Sequence, residues 1–395
     1  MIKEIGIENY KSIQELKLEL GRVTVLIGEN GCGKTNILEA IALSAAAAAD
    51  KLDNEFLASR GIRVTDSQFM RSAFNTDNLN KEIKINLLFH PDKIITYNLQ
   101  HDGKPYSKWV LVNSDQLDND LSRKIQAIVD LIYKDPLNFS HQSREEIYQG
   151  VKATFLPQKN VKTSFLEQND EYSNLLKRFL IFSPENSSLR IFNEEGQIQP
   201  LGIKGEGLFK LLTVLSLEEN KDKLQEIKEK MQLIDWFEDL AITHKLFPGE
   251  RVIQIKDKYL APELDYFTQN SSNEGFLFLL FYFCLFISDD TPKFFAVDNI
   301  DVSLNPRLAR RLVKELVELA KRYDRQVIFT THNPAILDGL NLDDDEQRLF
   351  VIYRNKLGHT KARRILSPKP LEGQEPVRLS EAFLRGYIGG LPKNF

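Results

Sequence analysis

The stretch GENGCGKT, residues 28–35, constrains this chain more than any other. It fits the pattern G-x-x-x-x-G-K-[ST] at every fixed position, and its flanks meet the condition that gives the pattern meaning. RVTVLI, residues 22–27, precedes it with the β-branched alternation of a strand. NILEAIALSAAAAA, residues 36–49, follows with strong helix formers. A strand, a glycine loop and a helix in register make an anion cradle. Glycines let backbone N–H groups turn inward, and the helix start adds the positive end of its dipole. The sequence therefore predicts a P-loop. Lys34 is expected to reach the β- and γ-phosphates of ATP, and Thr35 to ligate Mg2+. Asn30, Gly31, Cys32, Gly33 and Asn36 complete the nucleotide-binding set expected on and just beyond the loop. Cys32 occupies a position that the motif leaves open to any small residue.

Such a loop needs a second metal-holding carboxylate. KFFAVD, residues 293–298, is an apolar strand ending in Asp298. In a P-loop sheet a carboxylate at that edge lies beside the first strand-to-helix loop, which makes Asp298 the expected partner of Thr35 on Mg2+. A general base or water-orienting group should come next. Asn299 stands there; its amide orients a water but takes no proton. Two readings stay open. Hydrolysis is slow and ATP acts as a clamp, or Asp301 polarises the water. Loss of a general base costs about 10²–10⁴-fold in rate.

Away from the loop, the patterning implies an α/β fold. KEIGIENY at 3–10 reads as a strand, and KEIKINLLFH, KIITYNLQ and KWVLV at 81–112 read as antiparallel strands. Residues 113–250 are polar and mixed, with helical stretches QLDNDLSRKIQAIVDLIY and LLTVLSLEENKDKLQEIKEKMQLIDWFEDL. They are expected to form a mostly helical insertion. From 251 strands and helices alternate again, implying a mainly parallel sheet. The expected division is 1–112 and 251–395 as two halves of one head, with 113–250 inserted. FLFLLFYFCLFI, residues 276–287, is too short to span a bilayer and reads as a buried helix. RLARRLVKELVELAKRY, residues 307–323, is amphipathic, with Arg307, Arg310 and Arg311 expected on its solvated face. GIKGEGLF at 202–209 stays open between a turn and a glycine site.

Bulk properties exclude little but fit. The chain has 395 residues, 42% hydrophobic, and a net charge of −4, so nothing global marks it as a nucleic-acid binder or as disordered. Two cysteines, Cys32 and Cys284, make neither a disulfide framework nor a zinc cluster. The N-terminus has no apolar segment of a signal peptide. A cytoplasmic location with no membrane role is expected.

Taken in order, the motifs resemble ABC-type ATPases of the RecF, SMC, Rad50 and OLD kind, in particular the small AAA-family ATPases of bacterial anti-phage operons. IGIENYKSIQELKLELGRVTVLIGENGCGKTNILEAI at 5–41 is similar to that family's opening. The resemblance implies that the segment of Asn9, Lys11 and Ser12 approaches the nucleotide. SNEG, Ser272, Asn273, Glu274 and Gly275, stands where the family has its signature motif; taken alone it is equally an ordinary helix cap. DVSLNP at 301–306 resembles the D-loop, and TTHNP at 330–334 the switch histidine, His332. The family implies two heads sandwiching two ATPs, each completed by the other's signature, and hence a homo-oligomer. Departures are Asn299 in place of glutamate, no evident glutamine loop, and too short an insertion for a long coiled coil. No TOPRIM nuclease pattern follows His332, so a separate effector, a nuclease or toxin, is expected. The alternative is a DNA-repair or DNA-end-binding ATPase acting directly on DNA; a third is a regulatory ATP-binding module without turnover.

Overall fold

The computed structural model describes residues 1–104, 107–112, 171–192, 200–243, 251–367 and 377–391. The chain starts with a hairpin, β1 (Ile2–Tyr10) and β2 (Ile13–Glu19), then β3 (Val23–Ile27) and helix α1 (Lys34–Ala48). Short helices α2 (Asn54–Ser59) and α3 (Ser67–Met70) lead to β4 (Ile83–Phe89), β5 (Lys93–Gln100) and β6 (Val110–Leu111). Next come α4 (Glu171–Lys177), β7 (Ile181–Phe182), α5 (Asn186–Arg190), α6 (Leu208–Leu215) and α7 (Lys221–Met231). Strands β8 (Phe237–Thr243), β9 (Val252–Asp257) and β10 (Phe267–Thr268) precede helix α8 (Glu274–Ile287). The last part holds β11 (Phe294–Val297), α9 (Pro306–Arg322), β12 (Gln326–Thr331), β13 (Gln347–Arg354), β14 (Thr360–Ile365) and α10 (Leu379–Leu384).

These strands build three sheets. A six-stranded sheet runs β14-β13-β3-β12-β11-β7, and all its pairs are parallel except β13 with β14. An antiparallel sheet runs β2-β1-β4-β5-β6, and a small one β10-β9-β8. Period two explains the first: Val23, Val25 and Ile27 face one core while Leu26 faces the other. Phe295 and Val297 likewise oppose Phe294 and Ala296. Both faces are covered, as a parallel sheet requires.

Helix α1 packs in one core with Ile5 and Ile7 of the antiparallel sheet and Leu26 and Ile328 of the parallel one. It therefore lies between the two sheets. Its run of small alanines lets a helix buried along most of its length fit there. Helix α8 covers the opposite face of the parallel sheet, and every residue from Phe276 to Ile287 is buried. Such an all-round apolar helix belongs inside a core. Helix α9 buries only one side, with Leu312, Leu316 and Leu319 inward, Leu308 half-buried, and Arg307, Arg310 and Arg311 exposed.

Where 113–250 is described, helices α4 to α7 predominate, but two strands tie the stretch into the sheets. β7 joins the parallel sheet beside β11, pairing Ile181 with Ala296 and Phe182 with Val297. β8 pairs with β9 across the expected boundary at 250. A two-residue strand carries no period for a sequence reading to find; burial of Phe179, Leu180 and Phe182 holds it there. QLDNDLSRKIQAIVDLIY lies outside the described residues. GIKGEGLF is the turn before α6, whose N-cap is Gly207. At the C-terminus Phe383 is buried and Ile388 packs on the same core as α8, whereas Leu384 and Tyr387 point outward. Among the described residues no helix is long and apolar enough to cross a membrane.

Candidate functional site

Sheet order decides the site. β12 lies between β3 and β11, so the loops leaving all three strands meet at one edge. They carry Gly28–Thr35, His332 and Asp298. Two glycines are required by close approach: a side chain at Gly28 would start 2.1 Å from the carbonyl oxygen of Ile352. At Gly33, φ is +109° and a Cβ would lie 2.1 Å from Thr360 Oγ1.

Lys34 is 5% exposed. Its Nζ donates to the carbonyls of Gly28 (2.9 Å) and Glu29 (3.1 Å) and lies 3.4 Å from His332 Nδ1. Burial lowers the pKa of this ammonium, and Cys32 and Asp298 pull it back up. The Cys32 thiol is buried, and desolvation raises its pKa. Thr35 Oγ1 donates to Asp298 Oδ2 at 3.2 Å and Oδ1 at 3.4 Å. These are hard oxygen donors. Among the described residues there is no group of three or more His, Cys, Asp or Glu able to hold a metal ion. Two oxygen ligands, Thr35 Oγ1 and the Asp298 carboxylate, suit Mg2+, which keeps water and phosphate oxygens in its shell rather than taking a full protein cage.

Asn299 has a left-handed backbone, φ 56°, uncommon outside glycine but tolerated by asparagine. Thr330 pins it. The Thr330 hydroxyl donates to Asp298 Oδ1 and accepts the Asn299 N–H at 2.9 Å. The next residue of β12, Thr331, donates to Asp301 Oδ1 at 2.5 Å. So the last two residues of β12 hold both carboxylates, one each. His332 follows directly; burial first and Lys34 second push its pKa below the ordinary histidine value.

Beside the P-loop opens a cleft of about 390 Å3 lined by Lys11, Ser12, Asn36, Arg63, Phe74 and Arg354, among others. Ser12 Oγ accepts from Asn36 Nδ2 at 2.7 Å and pairs with Thr360 Oγ1 at 2.6 Å. Thr360 in turn donates to the Cys32 carbonyl at 2.8 Å. Arg354 donates to the Gly31 carbonyl at 2.8 Å and lies over the Phe74 ring. Asn9 does not share this cleft: its buried amide donates to the carbonyls of Asn78, Lys81 and Glu82 and accepts from Ser72 N. It braces a loop instead. Arg63, Phe74, Arg354 and Thr360 escaped the sequence reading because no local motif contains them.

The SNEG segment sits apart. Asn273, not Ser272, caps α8 by accepting from Phe276 N at 2.9 Å. Glu274 accepts from Ser303 Oγ at 2.6 Å and from Asn186 Nδ2 at 2.8 Å. Gly275 lies against the Ser303 carbonyl. Arg190 donates to the carbonyls of Gln269, Asn270 and Ser272, bracing the loop from below. Among the described residues no hydrogen bond or ion pair joins Ser272–Gly275 to the P-loop.

A family model described as an AAA ATPase domain matches residues 1–337. The chain belongs to this family. Among solved structures, the AAA ATPase domain resembles an SMC head bound to the C-winged helix domain of ScpA. That match has a TM-score of 0.54 at 16% identity and covers 92% of this chain and 98% of the other. A Pyrococcus furiosus Smc head with an extended coiled coil, bound to the C-terminal domain of ScpA, scores 0.49 at 14% identity, over 92% and 96% of the two chains. The match at a TM-score of 0.54 gives this AAA ATPase domain the fold of an ABC-type ATPase head. Uncharacterized protein MJECL10 of Methanocaldococcus jannaschii is 50% identical over 44 residues, 11% of this chain. The match spans 20% of the length of that curated relative.

Proposed function

We propose that this AAA ATPase domain is an ATP-gated head: it binds ATP with Mg2+ at Gly28–Thr35 and Asp298, hydrolyses slowly, and pairs with a second copy around two nucleotides. The observation that carries the reading is Asn299, an amide where a base is expected. It is fixed beside a carboxylate that Thr35 and Thr330 already engage. Mg2+ would neutralise charge developing on the phosphate oxygens. The chain's own residues do the rest. Lys34 donates to the phosphates, Asn299 orients a water without taking its proton, and His332, neutral at pH 7, reads the γ-phosphate. Asp301 is the remaining carboxylate for proton transfer, and the Thr331 hydroxyl holds it by donating to its Oδ1. Ser272–Gly275, which among the described residues make no hydrogen bond or ion pair to the P-loop of the same chain, would complete the partner copy's site.

Phage defence, a cytoplasmic setting and a separate nuclease or toxin as effector belong to this proposal and rest on the motif resemblance. That an SMC head of this fold carries a ScpA domain supports a separate protein partner in general. One observation favours the DNA-acting alternative. Arg307, Arg310, Arg311 and Lys314 are exposed on one stripe of α9 and make no ion pair among the described residues. ATP turnover with and without duplex DNA, beside a Lys34→Ala control, tests both. Slow, Lys34-dependent turnover indifferent to DNA fits the ATP-gated head. Turnover stimulated by DNA with a steep salt dependence replaces it with the alternative.

A further inference from the structure

Glu39 lies on α1, four residues after Thr35 and hence on the same helical face. It is 0% exposed. A buried carboxylate is costly unless charged partners surround it. Here they do: its oxygens accept from Lys11 Nζ at 2.6 Å, from Arg63 Nε at 2.7 Å and from the Arg63 backbone N–H at 3.0 Å. The Tyr10 hydroxyl adds a longer contact at 3.4 Å.

The two cations come from different elements, the β1–β2 turn and the loop after α2, and both line the cleft beside the P-loop. Arg63 is gripped at its base while its side chain stays 62% exposed. Its Nη2 donates to Asn36 Oδ1 at 3.0 Å, and Asn36 continues through Ser12 and Thr360 to the Cys32 carbonyl. One polar chain thus links the buried carboxylate to the P-loop backbone. The guanidinium fork keeps further N–H donors facing the cleft. Two long, flexible cations would otherwise spread over many rotamers, and fixing them in advance removes that entropy from the binding step.

We propose that Glu39 is a positioning residue for the nucleotide, holding Arg63 and Lys11 at the cleft so that they meet the phosphate–ribose end of ATP. The proposal rests on the reading of Gly28–Thr35 as the nucleotide site. A purely architectural ion cluster would brace the fold and leave nucleotide affinity alone.

The test uses the full chain, a fluorescent ATP analogue with Mg2+, and thermal melting of each variant. Glu39→Gln is expected to weaken affinity about 10-fold or more, the usual scale for a supporting residue behind a ligand contact. Turnover per bound ATP should be unchanged. Arg63→Ala should lose affinity equally, and the double variant no more than either single one, because the two act as a unit. A folded Glu39→Gln with wild-type affinity overturns the proposal. Where Glu39→Gln fails to fold, Arg63→Ala and Lys11→Ala decide: unchanged affinity in both leaves Glu39 nothing to position. Lys34→Ala separates the layers. Binding that survives Lys34→Ala removes the P-loop reading and this inference with it. Binding lost in Lys34→Ala but kept in both Arg63→Ala and Lys11→Ala removes only the inference.

Discussion

In the proposed reading the rate turns on Asn299. Its left-handed backbone is held by the Thr330 hydroxyl, which accepts from its N–H. Asn299→Glu should raise turnover, by something like the 10²-fold or more that a general base supplies. An unchanged rate in a coupled phosphate-release assay would put the water elsewhere. Asp301→Ala distinguishes the remaining route: it should abolish the residual wild-type turnover and leave that of Asn299→Glu largely intact. His332 gives a pH signature. Its folded pKa lies below the ordinary 6.5, so the unfolded chain takes up the proton first. The associated stability is present above about pH 6.5 and is lost as pH falls through the lower, folded value. Melting curves across that window should fall less steeply in His332→Gln than in wild type.

At the scale of elements, α8 and the loops around it carry most of the consequence. Phe281 is wholly buried, edge-on to Phe182 of β7 at 5.9 Å and to its neighbour Tyr282 at 5.7 Å. Phe281→Ala should cost about 3–5 kcal/mol in urea unfolding, because a cavity forms where two elements meet. Much of this level was legible in the residues. The P-loop flanks, the apolar helix, the amphipathic α9 and the strands at 81–112 all announce themselves by period or by motif. β7, β8 and β10 did not. Two-residue strands such as β7 and β10 have no period to read; their partners, not their own residues, make them strands.

For the whole molecule, the proposal that SNEG completes the site of a second copy matters most. Light scattering in ATP and Mg2+ should show wild type near twice its monomer mass. Lys34→Ala should remain a monomer. Glu274→Arg, which removes the link to Ser303, should bind ATP yet fail to dimerise; a dimer of that variant would move the interface away from α8.

The sequence by itself determined the local chemistry: a glycine loop that only one backbone path allows, an aspartate at a strand's end, an asparagine after it, and a histidine following a buried strand. Each is encoded by adjacent residues, whose sterics and hydrogen bonding act over one turn or one strand. Only the tertiary structure decided which distant groups meet them. Thr330 reaches Asp298 across a pair of parallel strands, Thr360 reaches the Cys32 carbonyl, and Lys11 and Arg63 converge on Glu39. Such encounters follow from sheet order and from burying α1 between two sheets. Those are collective outcomes of packing, to which no short stretch of the chain holds the key.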